Sequence, residues 1–334
     1  MSVREKIQSG VFRAVQIAGL PVIVVAYLLF VLKMIGFSRR TGVSASILAS
    51  FYPRWMMHQL GTRRDDPCVR LMRVLPNVSQ LGLRLLTGPT LLAHRLTGHV
   101  PKIYRYPYPG VPPMKDQPAA RTTFFDEALA RHLADVDQLV ILGAGLDTRS
   151  YRLPAGSSIR CFEVDTPWTQ PFKRAMLKKA GIDTARVTFV PADFEREDWF
   201  EKIVAAGFDP SKPTFFLWEA VTMYWEAVTM YLDREAVENT LRKVAGTVPG
   251  SAVAFDYFSR EQLGDQSAIW RYGRAVLKAV GEPMGTFSID STPPVRDRVA
   301  AFLASCGLSL EEQRNFGQET ARERARAGFA TATV

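Results

Sequence analysis

Hydrophobic positions divide this chain into two unlike parts. Ile17 to Leu32 (IAGLPVIVVAYLLFVL) is an uninterrupted apolar run; Lys33 breaks it and Met34 to Phe37 resume it. A membrane-spanning helix needs roughly 20 apolar residues, so the run is borderline in length. Arg4, Lys6 and Arg13 precede it, and Lys33, Arg39 and Arg40 follow. With basic residues at both ends, no orientation follows. A signal peptide is disfavoured because no convincing small-x-small cleavage site follows the run closely. Residues 1–40 therefore predict one apolar helix, either a membrane anchor (spanning, or lying in the interface) or a buried helix of a soluble protein.

Residues 69–96 predict two short apolar helices with Arg70, Arg73, Arg84 and Arg95 spaced through them. Two readings stay open for them. They form an interfacial surface or lid over a greasy substrate, or a cap packed on a catalytic domain with arginines reaching water. Tyr104 to Pro113 is too rich in proline for a helix or central strand and predicts a linker or entrance loop.

Beyond that the pattern changes, and short β-branched or aromatic runs alternate with helical stretches. Strands are expected at Gln138–Leu142, Ile159–Val164, Val187–Val190, Thr214–Leu217 and Ala252–Phe258, with a late one over residues 328–334. Helices are expected at Thr123–Ala134, Trp168–Lys179, Arg196–Ala206, Arg234–Thr247 and Pro294–Ser305. Strands separated by helices imply a parallel sheet covered on both faces, an α/β fold.

Composition adds a charge asymmetry. The 334 residues hold 42 Lys/Arg against 33 Asp/Glu, yet residues 1–120 alone carry 16 against 4. The basic excess is interleaved with apolar runs, which suits an anionic lipid surface better than nucleic acid. Cys68, Cys161 and Cys306 lie far apart, and the four histidines show no metal-ligand spacing. Neither a disulfide framework nor a metal site is expected, and a reducing, cytoplasmic setting fits.

Three strand ends carry the candidate chemistry. The run QLVIL enters Gly143-Ala144-Gly145, where glycines permit a tight turn and close approach of a ligand. Thr148 stands where a dinucleotide site would want a third glycine, which favours a ligand without a diphosphate. The next strand ends at Asp165, placed to accept hydrogen bonds from both ribose hydroxyls. Glu163 points to the same side of that strand, so one acid supports the other. After Val187–Val190 come Asp193 and Phe194, a carboxylate and a ring suited to an adenine.

ARTTFFDEAL, VILGAGLDTRSYRL, CFEVDTP, PADF and PTFFLWEAVTMY, in that order, resemble the leucine carboxyl methyltransferase family, and more closely its bacterial S-adenosylmethionine-dependent branch. The likeness covers about residues 115–334. It implies a class I methyltransferase, Rossmann-like fold: a seven-stranded, mostly parallel sheet with a reversed last hairpin, here behind a helical, apolar, basic extension. It divides the chain into residues 1–40 (apolar helix), 41–114 (helical cap and Pro-rich linker) and 115–334 (methyltransferase domain). The implied cofactor is S-adenosyl-L-methionine. Arg121 and Lys115 would grip its carboxylate, Gly143, Ala144 and Gly145 would form the turn beneath it, Asp165 supported by Glu163 would hold the ribose, and Asp193 with Phe194 the adenine. Glu219 would line the sulfonium end, facing the acceptor.

The heptapeptide WEAVTMY occurs twice, at residues 218–224 and 225–231. The family pattern has one copy. The first is continuous with the strand ending in Leu217, so strand register assigns the pocket to Glu219; an odd insertion inside a strand would reverse every side chain. The second copy, with Glu226, is expected in the following loop or helix start. Methyl transfer to a carboxylate needs no base, whereas a hydroxyl acceptor does. His132, the one histidine of the catalytic part, reads as structural. These points favour a carboxylate on a small, lipophilic acceptor, with membrane association through residues 1–100. The alternative is a membrane-associated cofactor-binding protein whose acceptor pocket the duplication has spoiled.

Overall fold

The computed structural model describes residues 3–44, 47–113, 116–194, 196–219, 233–264, 287–317 and 325–334, with positions 267, 271 and 275. Lys115 and residues 220–232, which hold most of the repeated heptapeptide and Glu226, lie outside them.

Four helices form the N-terminal layer: α1 (Val3–Thr41), α2 (Ile47–Gln59), α3 (Asp66–Val74) and α4 (Gln80–Thr97). Local chemistry sets the ends of the last two. Asp65 caps α3 by accepting the Cys68 N–H at 3.1 Å, and Ser79 caps α4 by accepting the Gly82 N–H at 3.1 Å. Gly98 ends α4 at φ +67, a left-handed conformation that costs glycine nothing. These two are the apolar helices expected within residues 69–96. Helix α1 runs well past the expected apolar segment on the C-terminal side of it as on the N-terminal side, and α2 was not foreseen as a separate element.

Helices α1 and α4 pack antiparallel. Phe12 meets His99 with ring centroids 4.9 Å apart, the Gln16 amide donates to the Thr90 hydroxyl at 3.2 Å, and Lys33 Nζ donates to the Val78 carbonyl at 3.2 Å. At the crossing, a Cβ on Gly19 would sit 2.8 Å from the Pro89 ring. Gly19 thus permits the close approach, and a glycine contact with a hydroxyl–amide clasp is how helices associate where water is scarce.

The sheet has seven strands: β1 (Gln138–Leu142), β2 (Arg160–Asp165), β3 (Val187–Pro191), β4 (Thr214–Trp218), β5 (Ala252–Phe258), β6 (Ser309–Phe316) and β7 (Ala327–Thr333). Their order is β3-β2-β1-β4-β5-β7-β6. The first five pair in parallel, while β7 is antiparallel to both β5 and β6. This is the seven-stranded class I methyltransferase arrangement with its reversed hairpin. The six strands read from the sequence are all present, each within a residue or so of its expected ends. Strand β6 was not located beforehand.

Helices α5 (Gln117–His132), α6 (Thr169–Lys179), α7 (Trp199–Ala205), α8 (Arg234–Ala245), α9 (Arg260–Leu263) and α10 (Val295–Ser305) complete the fold. Alternation sends Val140 and Leu142 to one face, against Trp199 of α7, Leu241 of α8 and Leu303 of α10. Leu139 and Ile141 go to the other, against Phe124 and Phe125 of α5. A third cluster joins Phe51, Leu71 and Leu83 of the N-terminal helices to Leu146 and Leu177, seating that layer on the loop after β1 and on α6. Between β1 and β4 the chain reverses its direction of travel across the sheet. The crevice beyond the carboxyl ends of strands at such a switch point is where open α/β sheets bind ligands.

Candidate functional site

Strand β1 stops at Leu142, and Gly143 (φ 64) and Gly145 (φ 39) turn the backbone over its tip. Positive φ, which a side chain would resist, makes glycine necessary at both. The neighbouring tips stay in register beyond the strands: the Ala144 N–H donates to the Val164 carbonyl at 3.0 Å and the Ala192 N–H to the Asp165 carbonyl at 2.8 Å. Asp165 closes the turn. One carboxylate oxygen accepts the Gly145 N–H at 2.5 Å and the other accepts the Thr166 N–H at 2.6 Å. Burial pushes this carboxyl up, against those two hydrogen bonds.

Gly143, Ala144, Gly145, Asp165 and Glu219 line one cavity together with Ile47, Arg54 and Asp147. Its free space is about 40 Å³, room for a water molecule, and Ile47 and Arg54 of α2 form one wall. Arg54 is 2% exposed and donates to Asp147 at 2.9 Å and to Glu219 at 2.8 Å. Arg149 also pairs with Glu219, with Asp147 at 2.5 Å and with Asp126 at 2.7 Å. Arg121 Nε lies 3.4 Å from Glu219 Oε1. Burial pushes Asp147 and Glu219 up, but Arg149 and Arg54 outweigh it and hold both below the usual carboxylate range. Both acids are therefore ionised.

Within this network Arg54 Nε and Arg149 Nη2 are buried with no hydrogen-bond partner. A buried unpaired donor costs about 1–3 kcal/mol, and an incoming carboxylate would satisfy these. Asp147 and Glu219 beside them suit an ammonium. The donor set thus fits a zwitterionic amino-acid end, while the glycine turn and Asp165 fit a ribose.

The remaining candidates stand near this cavity without lining it. Glu163 is fully buried beneath it, with Lys173 Nζ at 2.7 Å and the Tyr151 hydroxyl at 3.0 Å; burial raises its carboxyl. It reaches the turn through Lys173, whose ammonium also donates to the Ala144 carbonyl at 3.3 Å. Asp193 and Phe194 stand at the β3 tip, where the Phe194 ring lies 6.2 Å from Trp199 and Arg196 Nε lies 3.8 Å from the Asp193 carboxylate. His132 stacks on Phe215 at 5.1 Å and meets Glu311 at 3.0 Å, away from the cavity.

The sequence did not single out Arg54, Asp147 or Arg149. Asp147 and Arg149 follow the glycine turn directly and had that much signal; Arg54 had none, since it reaches its partners across the fold. Thr148, the residue in place of a third glycine, donates to the Asp65 carboxylate at 2.8 Å and ties the loop to α3. Asp65 in turn receives Arg63 at 2.5 Å, and Arg63 reaches Asp126 at 2.7 Å. The N-terminal layer is locked to the cavity rim through ions on both sides.

Residues 106–245 match the family model described as leucine carboxyl methyltransferase. The resemblance carried by the sequence motifs is borne out over that segment. A Mycobacterium tuberculosis protein described as "Putative S-adenosyl-L-methionine-dependent methyltransferase" is 38% identical over 174 residues, 51% of this chain and 54% of that protein. A Mycobacterium bovis protein of the same description is 34% identical over 205 residues, 60% of this chain and 61% of that one. The chain thus spans a little over half the length of these curated relatives. Among solved structures, magnesium protoporphyrin IX methyltransferase from Synechocystis, crystallised with SAH, is 14% identical, with a TM-score of 0.40 over 66% of this chain and 85% of that one.

Proposed function

We propose, from the leucine carboxyl methyltransferase match over residues 106–245, that this chain is an S-adenosyl-L-methionine-dependent O-methyltransferase acting on a small, lipophilic acceptor. The observation that carries the proposal is the single cavity at the β1/β4 switch point. There the glycine turn, a sugar-binding acid and an arginine–carboxylate network meet. Residues 115–334 form the catalytic domain, residues 41–114 the cap and linker, and residues 1–40 the anchor.

When bound, S-adenosyl-L-methionine supplies a methyl group already activated on a sulfonium. The residues of this chain bind, orient and exclude water. Asp165 accepts the ribose hydroxyls; Arg54 and Arg149 take the amino-acid carboxylate with their unpaired donors, and Arg121 lends charge beside them. Glu219 and Asp147 hold the ammonium, and Glu219 faces the acceptor side. Asp193 and Phe194 stand ready at the third strand tip for the base. Among the described residues no histidine lines the cavity, and both carboxylates that line it beside Arg54 are tied to arginines. With Asp165 accepting two backbone N–H groups, no free base for a hydroxyl acceptor lines the cavity among the described residues, which supports a carboxylate acceptor.

Membrane association is supported by α1. Within its segment Lys6–Thr41 the most apolar 18-residue window has a mean hydropathy of 2.5, with only 11% of that window buried. Ile17, Leu20, Val25, Leu28 and Leu32 all stand more than half exposed. An apolar acceptor would then reach the enzyme from the bilayer. Incubation of the full chain with methyl-labelled donor and a lipid extract tests this: label is expected in the lipid fraction, and label only in polar or protein fractions overturns the lipophilic acceptor. The tandem heptapeptide directly after β4 favours a second reading, a protein that binds donor without turnover. Removing residues 225–231 separates the two. Turnover gained only in the deletion, with donor binding in both, establishes the binding-only reading.

A further inference from the structure

Between α2, α3 and α4 lies a groove of about 370 Å³, separate from the cavity at the strand tips. Its walls are apolar, with Trp55, Leu83 and Leu91 among them, and three arginines, Arg73, Arg84 and Arg95, stand along it. No acid lines it. Among the described residues none of the three arginines has an ion pair or hydrogen bond. Elsewhere in the N-terminal layer arginines are spent on carboxylates, as Arg54 and Arg63 are.

The groove has a second, independent neighbour. On α4, Leu81, Leu85, Leu92 and Leu96 are 68%, 41%, 52% and 64% exposed. At 3.6 residues per turn these four share one face, and Arg84, Gly88, Leu91 and Arg95 share another roughly 80° round the helix. The third face, with Pro89, Thr90 and Ala93, lies toward α1. Leucines able to enter hydrocarbon therefore adjoin arginines at the level where headgroups lie. Leu92 belongs to both, as it is exposed and also lines the groove.

We propose that this groove binds an anionic phospholipid of the bilayer surface, the phosphodiester paired with the groove arginines and an acyl chain laid along Leu83, Leu91 and Trp55. The site rests on the membrane-associated reading of α1 and goes beyond it by assigning a headgroup charge and a place for it. Arginine suits the task because its planar fork pairs with phosphate oxygens by two parallel hydrogen bonds. Each basic residue near an anionic surface is worth about a fivefold factor in affinity, so the three together contribute on the order of 100-fold.

The test uses the full chain and flotation with phosphatidylcholine vesicles, with and without phosphatidylglycerol. Three substitutions, Arg73→Gln, Arg84→Gln and Arg95→Gln, are combined; all are exposed, so the fold is retained, which unchanged circular dichroism verifies. The expected result is on the order of 100-fold weaker binding to the phosphatidylglycerol vesicles, with binding to phosphatidylcholine alone unchanged. Brominated-chain phosphatidylglycerol should quench tryptophan fluorescence by an amount that Trp55→Phe removes. Equal flotation of the combined variant and the wild type on anionic vesicles overturns the groove while leaving α1 as an anchor. Displacement by excess inorganic phosphate shows a free-anion site and also overturns it. Failure of the wild type to float with any vesicle overturns both the groove and the anchor.

Discussion

Asp165→Asn is the sharpest probe of the proposed donor site, because it preserves volume and removes only charge and one acceptor. In the wild type both carboxylate oxygens accept backbone N–H groups, from Gly145 at 2.5 Å and Thr166 at 2.6 Å. An amide has one oxygen, so one of these N–H groups must face an NH₂ and lose its partner. The orphaned group costs about 1–3 kcal/mol of stability. Donor binding suffers separately. A charge-assisted hydrogen bond to a ribose hydroxyl, about 1.5–3 kcal/mol, falls to the neutral range of about 0.5–1.5. The difference of about 1–2 kcal/mol raises the dissociation constant roughly 5- to 30-fold. Calorimetric titration with S-adenosylhomocysteine reads this, and thermal unfolding of the unliganded variant reads the stability term. A lowered melting temperature with affinity within a factor of about two of the wild type would show that Asp165 only shapes the turn, and would refute the ribose assignment.

Glu219→Gln strips the charge from a buried carboxylate that pairs with Arg54 and Arg149, so urea unfolding should show a loss of about 3–5 kcal/mol; a loss below about 1 kcal/mol would mean the network is slack. Asp126, Asp147 and Glu219 are held below the ordinary carboxylate range by arginines despite burial. A depressed folded pKa stabilises above the unfolded value of about 4 and is lost as pH falls through the folded one. Their contribution should therefore be level from about pH 7 to about pH 5 and vanish only in stronger acid, as difference melts against Asp126→Asn would show. Gly19→Leu places atoms within 2.8 Å of Pro89 and should loosen α1 from α4 at a cost of about 1–3 kcal/mol; proteolysis within α1 as slow as in the wild type would contradict that close crossing.

Strands β1, β4 and β5 were legible as largely apolar runs buried on both faces, as in TFFLW of β4, and β2 and β3 by their β-branched and aromatic residues. Strand β6 (SLEEQRNF) was not, since an edge strand with alternating half-exposed polar positions lacks that signature. Helix α2 was hidden by its Pro53 and by apolar residues on every side. Of the site, the glycine turn, Asp165 and Glu219 could be read because each ends a strand. Arg54 could not, since what makes it part of the site is a pairing with Glu219 that only tertiary packing creates. Asp193 and Phe194 also end a strand, but β3 lies one position further from the switch point, and they stand beside the cavity.

Ile47 and Arg54 of α2 line the space at the strand tips, where about 40 Å³ remains free. A nucleoside-sized molecule, which takes several hundred Å³, is admitted by an outward shift of α2, after which Arg54 closes on its carboxylate. Rapid-mixing traces should then bend: the observed rate of capture climbs with ligand concentration and levels off at the speed of that shift. The equilibrium affinity carries the same discount, set by the fraction of molecules already ajar.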